Sequence, residues 1–135
     1  MIEQNRALGI TWFAEVWDQA NPHAIDKYLA PDARCYGFPE PDSVLDVDQY
    51  KAVHAQFIQT FSNIRVQIDD IVAEGDRIAI RWVCHMTHTG DGLGFAATGK
   101  QVTMGGSSFC TCRDGMIVEG WNFMDFTKVL AHLQA

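Results

Sequence analysis

The sequence has no two adjacent basic residues anywhere along its 135 positions. Its 10 lysines and arginines are outnumbered by 17 acidic residues, which gives a formal net charge of -7. Binding to nucleic acid or to an anionic membrane depends on clustered positive charge. The composition therefore predicts neither nucleic acid nor a membrane surface as a partner.

Long apolar runs are also missing. No stretch approaches the ~20 apolar residues of a membrane-spanning helix, and residues 1–6 lack the basic start and apolar core of a secretory leader. With 47% hydrophobic and 20% charged residues the chain is typical of a globular protein. We expect one domain over residues 1–135 and a cytoplasmic location.

Cysteine and histidine spacing excludes two further classes. Cys35, Cys84, Cys110 and Cys112 form no C-x-x-C pair and lack the density of a disulfide-rich secreted protein. No H-x-H or H-E-x-x-H motif occurs. We therefore expect buried free thiols and no metal site.

The first half of the chain has apolar residues at helical spacing. They predict one helix over residues 3–19, a second from Asn21 to just before Pro31, and a third over residues 48–61. On the third helix we interpret His54 as a surface or interface histidine. A short strand is expected over residues 34–36.

After residue 63 the period changes to two, which is typical of strands. Strands are predicted over residues 64–72, 78–88 and 102–112, followed by one that starts at the Asp114-Gly115 turn and a closing helix over 127–133. Helices first and antiparallel strands afterwards indicate an α+β fold. Both faces of 78–88 are largely apolar, so a second copy of the chain is the simplest cover for the outer face.

The last strand ends in an acidic residue. Alternate side chains of a strand share a face, which places Asp125 beside Trp121 and Phe123. The carboxyl group then either reaches solvent at the strand end or acts as an acid/base group in an apolar cavity. The residues alone leave both interpretations open.

Several stretches, taken in order, resemble the SnoaL-like polyketide cyclase family of the nuclear transport factor 2-like superfamily. The resemblance covers nearly the whole chain and is carried by residues 13–19 (FAEVWDQ), 28–32 (YLAPD), 73–82 (AEGDRIAIRW), 87–90 (THTG), 98–100 (TGK) and 114–119 (DGMIVE), with Trp121 and Asp125.

This resemblance implies a cone-shaped fold, in which a curved antiparallel sheet and three N-terminal helices enclose a pocket, usually in a homodimer. Members close rings on aromatic polyketide precursors by intramolecular aldol chemistry without a cofactor, and relatives isomerise ketosteroids or hydrolyse epoxides. The aspartate that matches Asp125 is the acid/base group of the cyclases. The histidine that cyclases commonly carry before the Asp-Gly turn is missing, because the chain has Cys110 and Thr111 there.

Further candidates follow from position. His88, on the strand face of Trp82, would either pair with Asp125 or cap the turn near Gly90. Tyr36 would either donate a hydrogen bond to a carbonyl oxygen or simply pack. Aromatic and thioether side chains would wall the pocket, or form ordinary core; they are Phe13, Trp17, Trp82, Met104, Trp121 and Phe123.

The sequence-based prediction is a cofactor-free cyclase or isomerase, of the lyase or isomerase class, acting on a hydrophobic carbonyl-bearing small molecule. Two alternatives stay open: a non-catalytic protein that binds a small molecule, and a dimeric scaffold whose pocket is filled by its own side chains.

Overall fold

The computed structural model describes residues 2–135. Its helices are α1 (Ile2–Trp12), α2 (Ile25–Tyr28), α3 (Val47–Thr60) and α4 (Phe126–Gln134). A π-helix, Phe13–Asp18, continues α1 without a break, and a 3-10 turn, Pro22–Ala24, precedes α2. All the predicted helices are therefore confirmed, although α2 is shorter than expected.

Six strands form one sheet. They are β1 (Leu29–Tyr36), β2 (Val44–Leu45), β3 (Phe61–Glu74), β4 (Arg77–His88), β5 (Gln101–Arg113) and β6 (Met116–Met124), in the order β2-β1-β6-β5-β4-β3. Only the β1–β6 pair is parallel. The α+β class is confirmed.

Strand β1 starts where the sequence predicted the end of the second helix. Pro31 would disrupt a regular ladder, but the β1–β6 pairing is irregular between Leu29 and Arg34, so no ladder bond is needed from Pro31. The predicted short strand at 34–36 is the end of this longer one.

Helix α3 begins with a capping box. The carboxylate of Asp46 accepts a hydrogen bond from the Gln49 backbone N–H at 2.8 Å, and the Gln49 side chain accepts one from the Asp46 N–H at 2.9 Å. This cap fixes where α3 starts, and so fixes which of its side chains meet the sheet.

The concave face of the sheet and the helices enclose the core. Irregularities in the β3–β4 pairing, at Ser62/Arg65 and Ile68/Asp70, bend the sheet around the helices. Even-numbered residues of β4 and β5 point inward, and all of them except the half-buried Gly106 are buried. They include Ile78, Ile80, Trp82, Cys84, Met86, Val102, Met104, Cys110 and Cys112.

A bulge in β6 reverses the alternation of that strand. Cys112 pairs with Ile117 and Thr111 with Glu119, which leaves Val118 as an extra residue. Ile117 is buried, whereas Trp121 and Phe123 are 40% and 57% exposed on the outer face. The bulge therefore places Trp121 and Phe123 on the face opposite Ile117.

No helix within residues 2–135 is long and apolar enough to cross a membrane. Over the same range, no cluster of three or more histidine, cysteine, aspartate or glutamate residues is arranged to hold a metal ion.

Candidate ligand-binding cavity

An internal cavity lies between the first helical segment, α3 and the concave face of the sheet. Its volume is about 50 Å³. The wall is largely aromatic and is formed by Trp12, Phe13, Trp17, Phe38, Tyr50, Phe57, Val66, Trp82, Cys84, Met104, Asn122 and Met124.

A wider mouth adjoins this cavity. Its volume is about 220 Å³, and it shares Phe38, Phe57 and Met124 with the inner cavity. Glu40 and Leu93 lie on its rim. Because ligand pockets usually have volumes of about 300–1,000 Å³, only one end of a drug-sized ligand fits the inner cavity. The rest of the ligand would occupy the mouth.

Four of the six predicted wall residues line the inner cavity: Phe13, Trp17, Trp82 and Met104. Their role in binding stays a prediction. Trp121 and Phe123 were predicted to line it as well, but the bulge in β6 turns both to the outer face, and Asn122 and Met124 take their place.

Tyr50 is the polar residue that the sequence reasoning missed in this wall. It is buried, and its hydroxyl oxygen accepts a hydrogen bond from Trp17 Nε1 at 3.1 Å. Within residues 2–135 its hydroxyl proton has no acceptor. Burial raises the pKa of Tyr50 well above its usual value, so the hydroxyl keeps its proton. The cavity therefore contains a hydrogen-bond donor that is free to meet a ligand.

A directional chain of hydrogen bonds fixes a second polar group. Trp82 Nε1 donates to Ser108 Oγ at 3.1 Å, and Ser108 Oγ donates to Asn122 Oδ1 at 2.8 Å. Asn122 Nδ2 donates to the Tyr36 carbonyl at 3.1 Å. An amide nitrogen carries two N–H groups, and the second one of Asn122 has no hydrogen-bond partner among residues 2–135. Linked bonds of this kind hold the amide in one orientation.

The π-helix places two aromatic wall residues, and His54 supports it. His54 Nε2 lies 2.7 Å from the Val16 carbonyl, which can only accept, so Nε2 carries the proton. The Trp17 ring packs edge-on to His54 with a centroid distance of 4.6 Å. Burial lowers the pKa of His54 and keeps the ring neutral. The interpretation of His54 as a surface residue is wrong, because it is fully buried.

His88 supports the segment 89–100. Its Nδ1 accepts a hydrogen bond from the Thr98 backbone N–H at 3.1 Å, and its ring packs between Phe61 and Phe95. Nε2 is buried and has no hydrogen-bond partner among the described residues. Of the two interpretations, the structure supports backbone capping, although at Thr98 instead of near Gly90. Asp125 is not among the hydrogen-bond partners of His88.

Asp125 lies outside the cavity. Its side chain is exposed and caps α4 by accepting a hydrogen bond from the Lys128 N–H at 3.1 Å. Of the two interpretations of Asp125, the structure supports the one in which the carboxyl group reaches solvent, and the pocket-facing position that the family resemblance implies is wrong: after the bulge, odd-numbered positions point outward. A catalytic role for Asp125 stays a prediction.

Tyr36 also points away from the cavity. The parallel pairing of β1 with β6 aligns it with Trp121, and the two rings stack on the outer face at 4.0 Å with an interplanar angle of 11°. Of the two interpretations of Tyr36, the structure supports packing, and the one that places its hydroxyl in the pocket is wrong. The cavity-facing neighbour on β1 is Cys35, which is buried.

Within the described part of the chain, no carboxylate or imidazole lines the inner cavity. Its one thiol, Cys84, has its pKa raised by burial to about 12 and stays neutral. The cavity consequently offers donors for a carbonyl oxygen, whereas the mouth has the carboxylate of Glu40 among its lining residues.

Solved structures with the same architecture come from several bacteria. AclR from Streptomyces galilaeus, provisionally assigned as a hydroxylase, has a TM-score of 0.89 at 24% identity and covers 99% of this chain and 87% of its own. A provisionally assigned polyketide cyclase from Acidithiobacillus ferrooxidans has a TM-score of 0.82 at 28% identity, with 97% and 94% coverage.

A protein from Catenulispora acidiphila, described as having a ketosteroid isomerase-like fold, matches with a TM-score of 0.73 at 18% identity, covering 90% of this chain and 88% of its own. This likeness concerns the fold alone. No curated protein sequence gives a significant match.

The family model of SnoaL-like polyketide cyclases matches residues 7–133, which is nearly the whole chain. Together with the architecture of the sheet, this match confirms the resemblance found in the sequence motifs. The chain belongs to the SnoaL-like polyketide cyclase family.

Proposed function

We propose that the chain is a SnoaL-like enzyme that binds a hydrophobic, carbonyl-bearing small molecule and performs cofactor-free acid/base chemistry on it, as an aldol cyclisation or an isomerisation. The observation that supports this most directly is the Tyr50 hydroxyl, a protonated and unengaged donor inside an aromatic cavity.

Tyr50 would act on the carbonyl oxygen of the ligand. Removing a proton next to a carbonyl, or adding a carbon nucleophile to it, develops negative charge on that oxygen. A donor fixed beforehand in a water-poor site stabilises this charge more than it stabilises the neutral ground state. Trp17 orients the Tyr50 hydroxyl by donating to its oxygen, so the hydroxyl proton is directed elsewhere. The remaining Asn122 N–H is a second donor for the same oxygen.

The proton acceptor would come from the mouth. Glu40 lines it, and Asp125, which the family resemblance names, lies next to Met124 and Phe126, both of which line it. A ligand that extends from the inner cavity into the mouth would bring its reacting carbon toward these carboxylates.

Enolisation of a simple ketone tests this proposal. Naphthylacetone in heavy water exchanges the methylene protons between its ring and its carbonyl group for deuterium whenever the enolate forms on that side, and nuclear magnetic resonance follows that exchange. We expect the protein to accelerate exchange above the buffer rate. Tyr50→Phe should slow the exchange by roughly 10²–10³-fold, while binding weakens by no more than about tenfold.

Tyr36→Phe is the matched comparison, because it makes the same chemical change on the outer face. We expect it to leave exchange unchanged. If Tyr36→Phe slows exchange and Tyr50→Phe does not, the assignment of the cavity hydroxyl is wrong.

A second candidate is a non-catalytic binding protein. The observation that favours it is the lack of a lining carboxylate or imidazole in the inner cavity within residues 2–135. This candidate predicts that naphthylacetone binds without any acceleration of exchange. It also predicts that Glu40→Gln and Asp125→Asn leave the exchange rate at the buffer value, whereas the enzyme should lose exchange in at least one of them.

The outer face of the sheet carries an aromatic patch that consists of Tyr36, Phe109, Trp121 and Phe123. The last three are 40% exposed or more. Exposed apolar clusters of this kind mark association surfaces, so we propose that a second copy of the chain covers the patch. A cytoplasmic location stays a prediction from the sequence.

A further inference from the structure

A small chamber opens at the deep end of the cavity, above Gly120 of β6. Gly120 pairs with Cys35 of β1 on one side and with Cys110 of β5 on the other. Both cysteines are buried. Because Gly120 has no side chain, a space of about 20 Å³ remains beside them. A Cβ atom built on Gly120 would have no heavy atom within 4 Å, apart from its chain neighbours.

The chamber adjoins the inner cavity. The two share Trp12, Phe13, Tyr50 and Asn122 as lining residues. Tyr50 and Asn122 carry the two donors that face a ligand's carbonyl oxygen. A substituent on the carbonyl carbon of such a ligand would therefore be close enough to enter the chamber.

The size and chemistry of the chamber favour a methyl group over a water molecule. A single water needs at least about 10–15 Å³ together with two to four polar partners. Ser108 Oγ is already engaged, since it accepts from Trp82 and donates to Asn122, and the free donors of Tyr50 and Asn122 are taken up by the carbonyl oxygen of the bound ligand. The remaining walls include Leu29, Ile117 and the two thiols, which behave as small apolar groups.

We propose that Gly120 determines which carbonyl compounds the chain accepts, by keeping room for one methyl group on the carbonyl carbon. Methyl-bearing carbonyl compounds are then preferred over aldehydes, which leave the chamber empty, and over longer alkyl ketones, which overfill it. This inference rests on the proposed function, because it assumes that the carbonyl oxygen meets Tyr50.

Three probes that differ only at the carbonyl carbon test it: naphthaldehyde, acetylnaphthalene and propionylnaphthalene. Their dissociation constants are measured by calorimetry on the full chain. We expect acetylnaphthalene to bind about fourfold more tightly than naphthaldehyde, since one methyl group is buried. It should bind at least about fivefold more tightly than propionylnaphthalene, because overpacking is costly.

Gly120→Ala places a methyl group of the protein in the chamber. We expect the preference to invert, so that naphthaldehyde binds more tightly than acetylnaphthalene. Gly105→Ala is the matched control, since Gly105 is an exposed strand glycine whose added Cβ also has no heavy atom within 4 Å apart from its chain neighbours. It should retain the wild-type order.

Each outcome decides one of the two proposals. If the probes bind but Gly120→Ala keeps the wild-type order, Gly120 does not control size and the inference is wrong. If wild type binds all three equally while Tyr50→Phe still slows exchange, the proposed function stands and the inference alone fails. If none of the probes binds wild type, both fail. Should Gly120→Ala not fold, the wild-type order of the three probes decides the inference.

Discussion

The four thiols of this molecule are shielded by the same physical effect. Burial in apolar surroundings disfavours the thiolate and raises the pKa of Cys35, Cys84 and Cys110 to about 12, and that of Cys112 to about 11. Since the thiolate is the reactive form, these residues should be inert while the protein is folded.

Thiol modification measures this directly. We expect the folded protein to show essentially no reaction with a disulfide reagent at mildly alkaline pH, and all four cysteines to react once denaturant is added. Rapid modification of one thiol in the folded state would contradict the burial described above.

Two substitutions at Asp125 separate its role as a helix cap from its proposed role in catalysis. Asparagine caps helices about as well as aspartate, whereas alanine costs about 1 kcal/mol at such a site. We expect Asp125→Asn to keep the free energy of unfolding and Asp125→Ala to lower it by roughly that amount. Denaturant unfolding checks this. An equal loss in both variants would mean that the carboxylate stabilises the protein in some way other than by capping.

The direction in which a side chain points could be predicted from the sequence only where the local periodicity decides which face of its strand it occupies. The even-numbered positions of β4, including Trp82 and His88, point inward as predicted. Tyr36 and Asp125 could not be placed, because their directions depend on a parallel pairing and a bulge that involve distant strands. Tyr50 was visible only as one member of the apolar stripe of the third helix, and nothing in that stripe marks a free hydroxyl.

Among the elements, the π-helix and α3 act together. Tyr50 and His54 are four residues apart on α3, so they share a face of that helix. Tyr50 accepts a hydrogen bond from Trp17, and His54 contacts the ring of Trp17 and the carbonyl of Val16. Tyr50 and His54 thereby hold Trp17 in place, and Trp17 in turn orients the Tyr50 hydroxyl.

The burial of His54 makes stability depend on pH. The pKa of His54 is lower in the folded state than the ordinary value of about 6.5. The unfolded state therefore takes up the proton first, so the contribution to stability is full above that value and is lost as the pH falls. We expect the free energy of unfolding of wild type to drop more between about pH 7.5 and pH 5.5 than that of His54→Gln.

Glutamine is the informative replacement, because its amide can still donate to the Val16 carbonyl but does not titrate. Denaturant titrations at both pH values give the comparison. Identical pH dependence in wild type and His54→Gln would show that His54 is not the group responsible.

The long elements follow from the sequence because each has a strong period and clear ends. The capping box at Asp46 and the Asp114-Gly115 turn, where both residues have positive φ values of 55° and 76°, end their elements as the sequence indicates. β1 was underestimated, since its partner is β6 and the pairing is not local.

At the scale of the whole molecule, the two faces of the sheet have separate tasks. The concave face encloses the cavity, while the outer face presents the aromatic patch, where Phe109 and Phe123 already meet edge-on at 6.0 Å. A chain with a formal charge of -7 has no charge attraction for its own copy, so association through this face depends on apolar contact.

Phe123→Lys tests the association. A charge in the patch costs desolvation on docking, so we expect sedimentation to show a dimer for wild type and a monomer for the variant. Ile10→Lys is the control, because Ile10 is an apolar residue on α1 with 46% exposure, away from the patch. A monomeric wild type would remove the proposed second copy.

Because the four native thiols are buried, they should not react with a cysteine-directed label while the chain is folded. One cysteine introduced at the exposed Ala96, in the segment that borders the mouth, would be the sole site to take up a fluorophore. Its emission would then report, in real time, when a guest molecule enters.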